Sequence, residues 1–132
     1  MTAFLALLDP ATGTLTYTNA GHNPALLLHG TEPIQELEAQ GLPLAMLPGQ
    51  PYGEATLSLA PGDLLVVYTD GITEAANAAE EEFGSEALTA LVAARRHESL
   101  PALDAALLGE LDRFTAGAPY LDDRTLLMLR RS

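Results

Sequence analysis

Apolar and polar positions alternate along the first half of the chain, and the period then changes. "TAFLALL" (2–8) is a short apolar run, and "TLTYT" (14–18) alternates, with Leu15 and Tyr17 on one face and threonines on the other. Between them "DPATG" (9–13) carries turn chemistry: Pro10 presets φ and Gly13 accepts a positive φ. Two strands around a short loop ending in glycine predict a β-hairpin. "PALLLHG" (24–30) predicts a third strand, and residues 31–53, rich in Pro, Gly and Glu, a long irregular connection. "ATLSL" (55–59) alternates again, "APGD" (60–63) is a turn, and "LLVVY" (64–68) predicts a buried strand.

The second half takes a helical period. In 84–99 Leu88, Leu91 and Val92 share one helical face, with Glu86 in the first turn and Arg95, Arg96 and His97 in the last. That is the polarity a helix dipole favours. A second helix is predicted over 101–115, with Pro101 in its first turn, a stripe of Leu103, Leu107, Leu111 and Phe114, and Gly117 just past its end. A last strand covers 125–129. Strands, two helices and one strand make an α+β pattern: a mainly antiparallel sheet with two helices packed on one face.

Composition narrows the function. At 132 residues the chain is one domain by length. With 18 acidic against 6 basic residues the formal net charge is −12, which disfavours nucleic acid and anionic membranes as partners. The same charge repels a phosphorylated substrate unless bound cations reverse the local field. The absence of cysteine excludes disulfides and thiolate metal sites. No apolar run reaches the ~18 residues of a membrane helix. "MTAFLALLDP" has neither a basic flank nor a small-residue cleavage site, so it reads as a strand, and a cytoplasmic location is expected.

The candidate chemistry lies in the acids. Asp70, followed by Gly71, closes the strand 64–68, and Asp122 and Asp123 open the strand 125–129. If the two strands are antiparallel neighbours, Asp70 and Asp122 meet at one rim of the sheet. Like carboxylates a few ångströms apart either share a proton or hold a cation. Oxygen donors without nearby His or Cys suit Mg²⁺ or Mn²⁺. Gly71 lets the backbone turn sharply and leaves room for an ion. The plainer alternative is that Asp-Gly is a turn and the Asp pair is solvated. Likewise His22 in "NAGHNP" reads as a hydrogen-bonded turn histidine or a ligand, Glu80-Glu81-Glu82 as a solvated face, and His29 and His97 as ordinary ends of elements.

Several segments in order carry a resemblance: "LALLDPATGTLTYTNAGHNPALLLHG", "GLPLAM", "LSLAPGDLLVVYTDGITEA", "FGSEAL" and "DDRTLLMLR". Together they resemble the SpoIIE/RsbU branch of the metal-dependent, type 2C-like (PPM) Ser/Thr protein phosphatases, over essentially the whole chain. The resemblance is to the C-terminal portion of that domain, residues 1–132. The upstream Asp-x-x-Gly-His-Gly-type motif, whose aspartate bridges two metals, has no counterpart here. A smaller departure is Ala45, where relatives usually carry glycine.

The resemblance implies a partial type 2C-like fold and hydrolysis of phosphoserine or phosphothreonine proteins. It implies Asp70 and Asp122 as ligands of Mn²⁺ or Mg²⁺, two ions per complete site, with Gly71 and Asp123 supporting them. Asn19 and His22 match a family turn that is mainly structural and secondarily positions substrate. A metal-activated water replaces a protein nucleophile, and the implied substrates are phosphorylated STAS-type anti-anti-sigma proteins of bacterial sigma-factor regulation. Without the bridging aspartate the chain alone is expected to be inactive, and exposed sheet edges favour dimerisation or strand exchange. The rival from another class is a catalytically inactive regulatory interaction module of the same fold. A receiver domain is disfavoured because its acid pair follows the first strand. An aspartic protease half would carry Asp-Thr-Gly rather than Thr-Asp-Gly.

Overall fold

Leu15, Tyr17 and Asn19 alternate with threonines, and the alternation becomes strand β2 (Thr14–Ala20), buried on one face. It pairs antiparallel with β1 (Ala3–Asp9) in the register Leu8↔Leu15 and Ala6↔Tyr17. The computed structural model describes residues 1–132. The predicted hairpin is present, closed by the Gly13 amide donating to Asp9 O at 2.8 Å, with Gly13 at φ +76°. Phe4 stacks on Tyr17 at 5.5 Å.

The remaining strands are β3 (Ala25–Leu28), β4 (Gln35–Leu37), β5 (Ala55–Ser58), β6 (Leu64–Tyr68) and β7 (Leu126–Arg130). The helices are α1 (Asp70–Thr73), α2 (Ser85–Ala94) and α3 (Leu100–Thr115). One sheet has the order β1-β2-β5 and the other β4-β3-β6-β7. The chain divides into two units, Met1–Leu65 with Arg130–Ser132, and Val66–Leu129. No helix is long and apolar enough to cross a membrane.

In the first unit the connection 31–53 is mostly irregular, but β4 pairs antiparallel with β3 within it. Three residues among prolines and glutamates carry too little period to be read from sequence. Ala45 takes φ +61°, a left-handed conformation that carries a steric penalty for alanine and none for glycine. On β1 the uncharged Leu5 and Leu7 are exposed along an outer strand of their sheet.

The "APGD" turn holds more than a turn. Asp63 is buried, and a buried carboxylate needs partners. His29 Nδ1 lies 2.8 Å from both its oxygens, and the Ala60 amide donates to Oδ2 at 2.8 Å. The hydrogen bond to Asp63, and then its negative charge, hold the His29 pKa above the ordinary histidine value. A histidine raised on folding contributes stability that is complete below its unfolded pKa and is lost as pH rises through the folded value. The melting temperature is therefore expected to fall between pH 6 and pH 8.5 by more in the wild type than in His29→Gln. Parallel pH curves would refute the linkage.

In the second unit the two predicted helices form, with different ends. α3 begins at Leu100, capped by Ser99, whose Oγ accepts from the Ala102 amide at 3.3 Å. Leu103, Leu107 and Leu111 are fully buried, each worth about 1.5–3 kcal/mol of transfer free energy. α2 is shorter than the predicted 84–99: it stops at Ala94, and Arg95 and Glu98 close a separate turn through an ion pair. Arg95, Arg96 and His97 thus lie beyond the helix, and the expected basic last turn is not formed. The apolar stripe ends at Val92, so nothing anchors a further turn. Phe83 meets Phe114 edge to face at 5.6 Å.

Candidate metal centre

Strand β6 ends at Tyr68, and Thr69 passes the chain directly into α1, whose first residue is Asp70. The sequence reads Asp-Gly here as a turn; the structure makes it a single helical turn. Thr69 fixes the neighbouring segment. Its amide donates to Thr125 O at 3.0 Å, its Oγ1 accepts from the Thr125 amide at 2.9 Å, and the same hydroxyl donates to Asp123 O at 3.3 Å. At the other end of this strand pair the Arg131 amide donates to Asp63 O and the Gly62 amide to Arg131 O. These bonds join residues 69 to 125 and 63 to 131, so the strands run antiparallel. The end of β6 faces the start of β7, as the sequence argument required.

Gly71 is buried against that start. A Cβ at Gly71 would collide with the backbone carbonyl of Asp123. The glycine is needed for close approach of two backbones. Asp70 and Asp122 are both exposed, and neither makes an ion pair. Asp122 Oδ1 accepts from the Asp123 amide at 2.7 Å, which turns the backbone toward β7. Asp123 contributes through its backbone, as the acceptor for Thr69 and the surface against which Gly71 packs.

Beside these residues lies a cavity of about 300 Å³, lined by Gly71, Glu74, Glu80, Glu82, Asp122 and Arg124 among others. The donors fit a hard divalent cation in kind, being carboxylate and carbonyl oxygens, and no cationic side chain forms an ion pair with Asp70 or Asp122. They do not complete a site in number: no group of three His, Cys, Asp or Glu side chains converges as a metal-holding set. Glu74, Arg124 and Thr69 escaped the sequence reading. Arg124 carries a legible signal, a cation directly after two aspartates.

Asn19 and His22 lie in the first unit. Asn19 is fully buried; its Nδ2 donates to Leu37 O at 3.1 Å and its Oδ1 accepts from the His22 amide at 2.8 Å. The Gln40 amide donates to Asn19 O at 2.8 Å. The side-chain amide is thus committed to bracing the turn. His22 is half-buried, with Nδ1 3.1 Å from Asn23 O. Gly21, at φ +68°, lets Pro43 pack against that turn.

The family model for Stage II sporulation protein E (SpoIIE) matches residues 1–132. The chain belongs to the SpoIIE family. Among curated proteins, Protein IcfG of Synechocystis sp. is 33% identical over 135 residues, 99% of this chain and 20% of IcfG. The SiaA-PP2C domain of Pseudomonas aeruginosa superposes with a TM-score of 0.84 at 25% identity, over 98% of this chain and 51% of that one. The RsbU and RsbW domains of Rv1364c from Mycobacterium tuberculosis give a TM-score of 0.76 at 30% identity, over 98% of this chain and 36% of that one. The SpoIIE-family chain therefore spans about half of these relatives' length at most, and its fold is that of the matched part of a PP2C domain. Two further structures share the fold at lower identity. The Bacillus subtilis SpoIIE phosphatase domain, presoaked with Mn, has a TM-score of 0.72 at 19% identity, over 98% of this chain and 56% of that one. RsbX in complex with magnesium has a TM-score of 0.65 at 16% identity, over 99% of this chain and 56% of that one.

Proposed function

We propose that residues 1–132 are the C-terminal portion of a Mn²⁺- or Mg²⁺-dependent phosphoserine/phosphothreonine protein phosphatase domain, in which Asp70 and Asp122 are metal ligands. The observation that carries this reading is the Thr69–Thr125 latch. It brings the end of β6 to the start of β7 and packs Gly71 on the Asp123 backbone. Divalent cations, when bound, would activate water and neutralise phosphoryl charge. The chain's own part is to hold Asp70 in the first turn of α1, directly after β6, and Asp122 in the segment that leads into β7, with the latch tying the two segments together. Membership of the SpoIIE family supports the reaction class. The RsbU and RsbW domains of Rv1364c support a phosphorylated STAS-type partner in partner-switching regulation.

A second reading, a regulatory module that binds such a partner without hydrolysis, is favoured by the incomplete ligand set within these residues. A phosphoserine peptide decides between them when it is incubated with residues 1–132 joined to the N-terminal half of a SpoIIE-family phosphatase domain that supplies the bridging aspartate. The enzyme reading expects phosphate release there in Mn²⁺, loss on chelation with EDTA and recovery when Mn²⁺ is restored, and none from residues 1–132 alone. Metal-independent binding of a STAS protein with no phosphate release would favour the module.

A further inference from the structure

All six Lys/Arg residues of this chain are arginines, and three of them have partners that are plain in the structure. Arg95 pairs with Glu98, Arg113 with Glu110, and Arg131 donates to Leu59 O. Arg124 differs. It follows Asp122 and Asp123 directly and shares its cavity with Glu74, Glu80 and Glu82, yet it makes no ion pair with any carboxylate. Its guanidinium lies over the Tyr120 ring, 3.7 Å from the centroid. The aromatic face holds the cation by its quadrupole and uses none of the five N–H donors. A half-buried guanidinium restrained in this way, at the wall of a cavity that also contains Asp122, is prepared for an anion from outside the chain.

The anion's chemistry follows from the setting. The net charge of −12 opposes any anionic ligand, so only one that repays the repulsion at short range is retained. A phosphomonoester dianion does so, because its oxygens match the planar guanidinium fork in a bidentate contact. We propose that Arg124, stacked on Tyr120 beside Asp122, is a substrate-binding residue that receives the phosphoryl oxygens of a phosphoserine or phosphothreonine side chain. This rests on the phosphatase reading and adds to it the group that orients the phosphoryl before hydrolysis. Exposed Tyr120 and Leu121 flank the same wall and offer apolar surface to the peptide around the phosphorylated residue.

The test uses the full chain in Mn²⁺ and a peptide in which a phosphonomethylene analogue, which cannot be hydrolysed, replaces phosphoserine. Affinity is measured by fluorescence anisotropy against the matching serine peptide. Wild type is expected to prefer the phosphonate peptide. Arg124→Gln, which keeps a polar stem, is expected to reduce that preference about tenfold or more, and Arg124→Lys, which keeps the charge but loses the fork, by less. An unchanged preference in Arg124→Gln overturns the proposal, as does an equal loss for both peptides, which would mean contact with the peptide rather than the phosphoryl group. Hydrolysis of the phosphoserine peptide is followed in parallel with the chain joined to the N-terminal half of a SpoIIE-family phosphatase domain, because residues 1–132 alone are expected to be inactive. Arg124-dependent phosphonate binding without any Mn²⁺-dependent hydrolysis removes the enzyme reading and leaves the anion site standing. Hydrolysis and binding both indifferent to Arg124→Gln remove the anion site alone.

Discussion

Asp70→Asn is expected to lower phosphoserine-peptide turnover in Mn²⁺ about 100-fold or more when residues 1–132 are joined to the N-terminal half of a SpoIIE-family phosphatase domain, because even groups that only support metal ligands are worth about 10–100-fold. The fold should survive the change. The Asp70 carboxylate is exposed and makes no ion pair or hydrogen bond, so no buried partner is orphaned. Its backbone carbonyl, which accepts from the Glu74 amide at 2.7 Å, is untouched. The loss of a negative charge from the first turn of α1 costs at most about 0.3–1 kcal/mol at an exposed site. Two measurements separate chemistry from folding: thermal denaturation without metal, expected to be nearly unchanged, and the rise in melting temperature on adding Mn²⁺, expected to shrink in the variant. Wild-type turnover in Asp70→Asn would remove this residue from the metal site.

Gly71→Val is expected to destabilise the protein by about 1–3 kcal/mol, toward the upper end, and to reduce Mn²⁺ binding with it. The competing effect is helix propensity, since glycine in a helix is about 1 kcal/mol worse than alanine and somewhat less so against valine. Geometry outweighs it. The added Cβ meets the carbonyl carbon and oxygen of Asp123, backbone atoms with no rotamer to yield. Relief requires moving residues 123–124, which Thr69 holds by three hydrogen bonds to Asp123 and Thr125. Gly71→Ala should show the same direction with a smaller size. Urea denaturation of the two variants measures the effect, and wild-type midpoints in both would show that the backbones part without cost.

The sequence by itself determined the elements whose period is strong. Leu15, Tyr17 and the threonines between them specify a half-buried strand. Leu103, Leu107 and Leu111 specify a helix, and "LLVVY" a strand buried along its length. In each the side-chain pattern is the same information that burial uses, so no distant contact is needed to read it. The ordered motifs also carried family membership, because their residues and order are written directly in the chain. Tertiary structure decided the rest. Asp63 looked like a turn residue and is a buried carboxylate, because its histidine partner lies 34 positions away. The segment after Tyr68 looked like a turn and is a helix start, because Asp123 and Thr125 supply the surface and hydrogen bonds that fix it. Arg124 had no role assigned from the sequence, and only the fold sets it over Tyr120 within a wall of acids. Local pattern fixes which face of an element is apolar; it carries no record of which distant backbone will satisfy a polar group, and functional sites are built from such pairings.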